Sequence, residues 1–191
     1  RLWQRNVSGG QAWEAERVFG HLVELYSEAE RYYHNADHID LCLEWFDRYR
    51  DLLADPDAVE LAIWFHDACY GPDPLGHESR SARLFRDLSA DGLTRQRQDT
   101  VCGLIMATTH QQPPAGDDAA LLVDIDLASF ALPWHPYLKN TAKCRAERSH
   151  MEEQELCSCQ ITFLQSLLGR AHIYYSECFR VNHEAQARSN I

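Results

Sequence analysis

Imidazole and carboxylate side chains stand early in the chain at spacings that suit a metal ion. His34 and His38 are four residues apart, so they share one face of a helix or of its first turn. His66 and Asp67 directly follow the apolar run from Leu61 to Phe65. An ionised carboxylate is costly to bury in such surroundings unless it is paired or binds a cation. A divalent cation would satisfy the histidine and the aspartate together.

Two further aspartates, Asp124 and Asp126, lie in a later apolar segment. They are two residues apart, so on a helix they cannot point the same way. With His38, His66 and Asp67, one of them would complete a set of ligands from separate helices, as helical bundles use to hold a metal. Such ligands suit Mn, Fe, Ni, Co, Zn or Mg. The alternative is a set of ordinary core and surface groups, because ten histidines make accidental pairs easy.

The elements that must position these residues are helical, since apolar side chains recur with a helical period nearly throughout. We expect helices over about residues 11–27, 37–53, 56–69, 77–90, 94–108 and 171–187, and two more within 136–169. Asp55 and Pro56 suit the N-cap and the first position of the third helix. No convincing strand pair, repeat or dividing linker is visible. The expected fold is therefore a single all-α domain, residues 1–191, built as a bundle of about eight to ten helices.

Composition narrows the classes of function. The net charge of −11 argues against broad binding to DNA or RNA, although a metal could still attract a nucleotide into a pocket. No apolar run approaches the roughly 18–20 residues that span a bilayer, and the first residues lack the apolar core of a secretory signal. The seven cysteines form no CxxC pair. We expect buried free thiols in a reducing cytoplasm.

Several segments carry a resemblance to a known family. The order His…His-Asp…Asp on an all-α chain is similar to the HD superfamily of metal-dependent phosphohydrolases. More narrowly, the chain resembles the small predicted HD phosphohydrolases, whose members carry YHN-x-x-HI, AIWFHD, NE-x-SA and D-x-DL motifs. The matching segments here are RYYHNADHI, AIWFHDACYGP, HESRSA, VDIDLASF and the terminal ARSN, which extend from Arg31 to Asn190. HD alone is a weak signal, whereas YHN-x-x-H followed by FHD at this spacing is a strong one.

The resemblance implies four metal ligands, namely His38, His66, Asp67 and one of Asp124 or Asp126. Asp126 is favoured, because its Asp-Leu-Ala step resembles the Asp-Leu-Ser step of the cyclic nucleotide phosphodiesterases, which are distant relatives sharing YHN-x-x-H.

The resemblance also implies catalytic residues. His34 occupies the place of the histidine that protonates the leaving oxygen in those phosphodiesterases, and a group with a pKa near 6.5 suits such a general acid. The alternative is that His34 only supports a neighbouring ligand. Glu78 matches the glutamate of the NE step and could orient or deprotonate the attacking water. It could equally be an exposed carboxylate favoured by the helix dipole. His77 stands where the family has asparagine, which puts any fine polar role there in doubt.

Three further positions match the family less clearly. His110 closes an Ala-Thr-Thr-His step and could bind a second metal or a phosphate, or have no role. Arg145 and Glu147 fall where the family has Arg-x-Glu-Tyr, but Arg148 replaces the tyrosine. Arg145 could clamp a phosphate, yet for Arg145, as for Arg188 and Asn190 of the ARSN ending, a structural role is favoured.

The function implied by the resemblance is metal-dependent hydrolysis of a phosphoester. Its substrate would be a nucleotide or another small phosphorylated metabolite, attacked by water that a divalent metal activates. One alternative is a binding module that keeps the metal and a phosphorylated ligand but has lost turnover, for which the departures at His77 and Arg148 leave room. A weaker alternative is a structural bundle whose histidines bind nothing.

Overall fold

The computed structural model describes residues 2–6, 12–71 and 76–191. These parts of the chain form ten α-helices and two 3-10 helices, and they contain no β-strand. The α-helices are α1 (Leu2–Asn6), α2 (Ala12–Tyr26), α3 (Ala36–Tyr49), α4 (Pro56–Phe65), α5 (His77–Leu88), α6 (Arg95–Ala107), α7 (Asp117–Asp126), α8 (Trp134–Glu147), α9 (Glu153–Leu168) and α10 (Glu177–Asn190). The 3-10 helices, Arg50–Leu52 and Leu127–Ala131, follow α3 and α7. The prediction of an all-α bundle is confirmed.

Helix α4 is the centre of the bundle. It contacts α1, α3, α5, α6 and α7, and a helix that is apolar around most of its circumference has to be internal. Its start was predicted correctly, because the Asp55 side chain accepts a hydrogen bond from the Ala58 N–H and Pro56 occupies the first turn. Its most deeply buried residues are all 0–1% exposed: Ala58, Val59, Leu61, Ala62, Ile63 and Phe65.

The end of α4 differs from the prediction. The helix stops at Phe65 rather than at residue 69, and the chain turns through residues 66–69. The cause is Arg31, whose buried guanidinium donates to the carbonyl oxygens of Asp67, Ala68 and Tyr70 at 2.7, 2.8 and 3.1 Å. A side chain therefore takes the place of the next helical turn as the partner of these carbonyl groups.

Other helix boundaries also differ from the prediction. The last helix begins at Glu177 instead of residue 171, because the N–H groups of residues 173–176 donate to the carboxylates of Glu184 and Asp124. The second helix of the bundle, expected from residue 11, is described from Ala12, and residue 11 lies outside the described part of the chain. Helix α1 was not predicted, since five residues show no period.

Helices α8 and α9 contribute few residues to the common core. In α8 only Tyr137 is buried, and in α9 only Leu156 and Leu167 are. The inner faces of both helices instead line a cavity beside the histidines and aspartates discussed above. No described helix combines the length and the apolar character that crossing a bilayer requires. All seven cysteines are free, as predicted, but only Cys42 and Cys102 are buried, so the expectation of buried thiols is correct for two of the seven.

Candidate metal centre

Three separate helices bring the four predicted ligands together. His38 lies in the first turn of α3, where the Asn35 side chain caps the helix by accepting from Asp37 N–H. His66 and Asp67 follow α4, and Asp126 is the last residue of α7. The ligands thus stand at helix ends, which α4 and the packing of its neighbours hold in fixed positions.

The ligand atoms lie close enough to share one ion. His66 Nε2 is 3.2 Å from His38 Nε2, 3.0 Å from Asp67 Oδ2 and 3.5 Å from Asp126 Oδ1. His38 Nε2 is 3.4 and 3.3 Å from the same two oxygens. Ligands at about 2.0–2.2 Å from a tetrahedral metal are separated by about 3.4 Å. The predicted convergence of His38, His66, Asp67 and Asp126 is confirmed, and the group could hold a metal ion.

A hydrogen bond outside the cluster fixes the ring orientation and the tautomer of His66. Its Nδ1 lies 2.8 Å from the Ile63 carbonyl oxygen, which can only accept, so Nδ1 donates. A neutral ring then carries its lone pair on Nε2, as metal-binding histidines require. That lone pair faces His38 Nε2 and the carboxylates of Asp67 and Asp126, so a proton or a cation must lie between them.

Attraction between the histidines and the aspartates shifts the pKa values of the cluster. Burial alone would lower the pKa of His66, but the charge of Asp67 and hydrogen bonds to Asp67 and Asp126 raise it well above its ordinary value. Burial would raise the pKa of Asp126, but hydrogen bonds from His110, His38 and His66 hold it well below its ordinary value. The pKa of Asp67 is also held well below its ordinary value, so both carboxylates stay ionised, and protonated histidines or a metal ion would balance their charge.

Asp124 points away from the cluster. Its carboxylate accepts hydrogen bonds from the Tyr175 N–H at 2.8 Å and from the N–H and hydroxyl of Ser176, both at 2.6 Å. Burial raises the pKa of Asp124 to about 6 despite these three donors. Asp124 thus ties the segment before α10 to α7, and Asp126 is the aspartate that joins the cluster.

His110 holds the side chain of Asp126, one of the four candidate metal-binding residues. Its Nε2 lies 2.9 Å from Asp126 Oδ2, while Oδ1 of the same carboxylate faces His38 and His66. Its backbone has φ 56°, in the left-handed region that costs about 1–3 kcal/mol for a residue other than glycine. The contact shows that His110 orients Asp126, a role that the sequence analysis did not consider.

His34 is held beside the cluster by a carboxylate. Its Nδ1 lies 2.6 Å from Glu147 Oε2, and its ring stacks on Tyr70 with centroids 3.9 Å apart. Glu147 Oε1 also accepts from the N–H groups of Tyr33 and His34, at 2.7 and 2.8 Å. Burial would raise the pKa of Glu147, but the hydrogen bond and the charge of His34 lower it overall. Because Nδ1 is engaged, Nε2 is the ring nitrogen that can reach a ligand.

One cavity of about 340 Å³ is lined by several of the predicted site residues. Its lining includes His34, Asp67, Glu78, His110 and Asp126. The predicted general acid His34, the predicted base Glu78 and the two carboxylates of the cluster therefore face the same cavity.

The arginines and Asn190 have protein partners. Arg145 lines the cavity but donates to Gln160 Oε1 at 2.8 Å and to Glu153 Oε1 at 2.5 Å. Arg188 donates to Glu184 and to backbone carbonyls, and Asn190 donates to the carbonyls of Phe130 and Leu132. These contacts agree with the favoured structural role.

Sequence reasoning assigned no role to Arg31 and read Glu147 only as a match to a motif. Arg31 is 7% exposed, and besides the turn after α4 it contacts Glu28 and the His34 carbonyl. It thereby joins the segment of His34 to that of Asp67. Its position at the head of RYYHN and the place of Glu147 in Arg-x-Glu were the available signals, but neither names a partner.

Fold and site together define an all-helical protein with a buried His₂Asp₂ cluster that could hold a metal ion. Comparison of the chain with protein-family models, with curated proteins and with solved structures found no match.

Proposed function

We propose that this protein is a metal-dependent phosphohydrolase of the HD type, acting on a nucleotide or another small phosphorylated metabolite. The observation that carries the proposal is the shared cavity: two carboxylates of the ligand cluster, Asp67 and Asp126, line it together with His34 and Glu78. Its volume of about 340 Å³ suits a small molecule. The resemblance of the motifs to the HD superfamily supports the same class of reaction.

A divalent ion bound by the four ligands would polarise a phosphoryl oxygen and lower the pKa of water. His38, His66, Asp67 and Asp126 would hold it, and the donor set suits the ions expected from the sequence. Because Asp67 and Asp126 line the cavity, a substrate in the cavity would lie beside the ion.

In this proposal His34 donates a proton from Nε2 to the departing oxygen. Glu147 fixes the ring through Nδ1, and Tyr70 stacks on its face, so the ring keeps one orientation. A histidine that is oriented by a carboxylate and lies within reach of the substrate is a common arrangement for proton transfer. Its ring centroid lies 5.8 Å from that of His38, which places donor and ligand cluster side by side.

Glu78 would accept a proton from the attacking water. It lies in the first turn of α5, lines the cavity and is 3.8 Å from His77 Nε2 through Oε1. Burial lowers the pKa of His77, so this ring is uncharged near pH 7 and places no positive charge beside Glu78. A cytoplasmic location belongs to the same proposal, since all seven cysteines are free thiols.

A screen of phosphorylated metabolites with Mn, Fe, Ni, Co, Zn and Mg on one protein preparation tests the function. We expect release of inorganic phosphate with at least one metal, and loss of that release in Asp67→Ala. Binding of a metal and of phosphorylated compounds without any release would instead identify a binding module. Absence of metal binding would contradict both.

A further inference from the structure

The cavity has a second wall, which the proposed chemistry does not use. Three aromatic side chains form it, namely Phe130 from the 3-10 helix after α7, Tyr137 from α8 and Phe163 from α9. Phe130 contacts both others, with ring centroids 6.0 Å from Tyr137 and 6.3 Å from Phe163. We call these three residues the aromatic wall.

Tyr137 of the aromatic wall is buried and Phe130 packs against the core, whereas Phe163 takes no part in the core. Of the sixteen residues of α9, only Leu156 and Leu167 are buried, and Phe163 remains 38% exposed although it touches Phe130. An aromatic ring that faces a cavity and keeps contact with water gains free energy when an apolar surface covers it. The fold therefore leaves this ring available to a ligand.

The chemical groups of the cavity come from two different sets of elements. His34, Glu78 and the ligand cluster stand at the ends of α3, α4, α5 and α7, whereas the aromatic wall comes largely from α8 and α9. A ligand that fills the cavity thus meets charged groups with one part and aromatic rings with another. Aromatic rings favour other flat rings, through offset-stacked or edge-to-face contacts.

We propose that the substrate is a phosphomonoester whose organic part is a flat aromatic or heteroaromatic group lying against Phe130 and Phe163. This inference rests on the proposed function for the position of the phosphate. It narrows the substrate class, because open-chain polyol phosphates and inorganic polyphosphate have no surface to offer the aromatic wall.

The test uses three phosphonates that cannot be hydrolysed: methylphosphonate, cyclohexylmethylphosphonate and benzylphosphonate. Their dissociation constants are measured by calorimetry on the purified protein supplied with Mn²⁺. We expect benzylphosphonate to bind about tenfold more tightly than methylphosphonate, and more tightly than the cyclohexyl compound, which is apolar but not flat. Equal binding of benzylphosphonate and either other compound, or no binding of benzylphosphonate, would overturn the inference.

A variant pair on α9 locates the preference. Phe163→Ala should reduce the preference for benzylphosphonate over methylphosphonate by at least about threefold. Ile161→Ala is the control, because Ile161 is 53% exposed on the same helix and does not line the cavity. A preference that survives Phe163→Ala in a folded protein would contradict the assignment of the aromatic wall.

The outcome is separable from that of the proposed function. Preferential binding of benzylphosphonate without hydrolysis of any phosphomonoester would refute the hydrolase but support the selection of a flat ring by the aromatic wall. Hydrolysis of phosphomonoesters with no preference for a ring would do the reverse.

Discussion

At the scale of single residues, the cluster divides tasks between atoms of the same side chain. His66 donates a hydrogen bond from Nδ1 to the Ile63 carbonyl oxygen, and its Nε2 faces the cluster. Asp126 contacts His110 through Oδ2, and its Oδ1 faces the cluster. His34 gives Nδ1 to Glu147. Each functional group is therefore oriented by a bond that leaves its other atom for the ligand.

His34→Ala separates metal binding from proton transfer. Because His34 is outside the ligand cluster, we expect the variant to keep near-normal metal content and fold. It should hydrolyse a phosphoester with a poor leaving group about 10²–10⁴-fold more slowly. An activated aryl phosphate should suffer less, since its leaving group needs little protonation. Metal analysis and rates on both substrates check this; loss of the metal, or full activity on both substrates, would show that the assignment is wrong.

Glu147→Gln should destabilise the protein in a pH-dependent way. The pKa of Glu147 is lowered in the folded state, so its stabilising contribution is present above about pH 4.5 and is lost as pH falls through the lowered value. The side chain is 1% exposed. We expect the variant to lose about 1.5–3 kcal/mol of unfolding free energy at pH 7. Urea unfolding of both proteins should show this gap closing below about pH 4.5, and a gap that stays constant in acid would contradict the account.

At the scale of elements, Arg31 replaces a helical turn. Its planar guanidinium reaches three carbonyls of the turn after α4, a geometry that lysine cannot reproduce. Arg31→Lys should therefore lower the unfolding free energy by about 2–3 kcal/mol and weaken metal binding, because Asp67 loses its support. Arg83→Lys, on the exposed side of α5, serves as the control. Equal stability and metal affinity of the two variants would argue against this role.

The elements also show what the sequence could predict. The start of α4 was predictable, because the N-cap Asp55 and Pro56 act within one turn of chain. Its end was not, because the deciding partner, Arg31, lies 36 positions from Asp67. The start of α10 depends in the same way on Asp124, 52 positions from Ser176. Local signals were readable, whereas limits decided by distant side chains were not.

In the candidate site, too, local sequence signals were predictive and contacts between distant residues were not. Residue types and motif spacing were sufficient for His38, His66 and Asp67, and the resemblance selected Asp126 over Asp124. The hydrogen bond from His110 to Asp126 and the pair of His34 with Glu147 join residues 16 and 113 positions apart. Such pairs depend on how whole helices pack, which periodicity does not encode.

At the scale of the whole molecule, a metal should stabilise the fold, because its ligands join α3, α4 and α7. A ligand present at about 100 times its dissociation constant adds about 2.7 kcal/mol of stability. For a chain of this size that corresponds to a rise in Tm of about 5–10 °C. Thermal unfolding with and without a chelator, followed by readdition of the ion, measures the change. An unchanged Tm across the metals tested would contradict a site that connects the three helices.

The metal content of two matched variants shows whether these four side chains hold a metal ion. Asp126→Asn and Asp124→Asn each neutralise one buried aspartate of α7, yet only Asp126 faces the cluster. After removal and readdition of the ion, mass spectrometry should find the metal in wild type and in Asp124→Asn, and strongly reduced content in Asp126→Asn. Metal retained in Asp126→Asn, or absent from the wild type, would contradict the account.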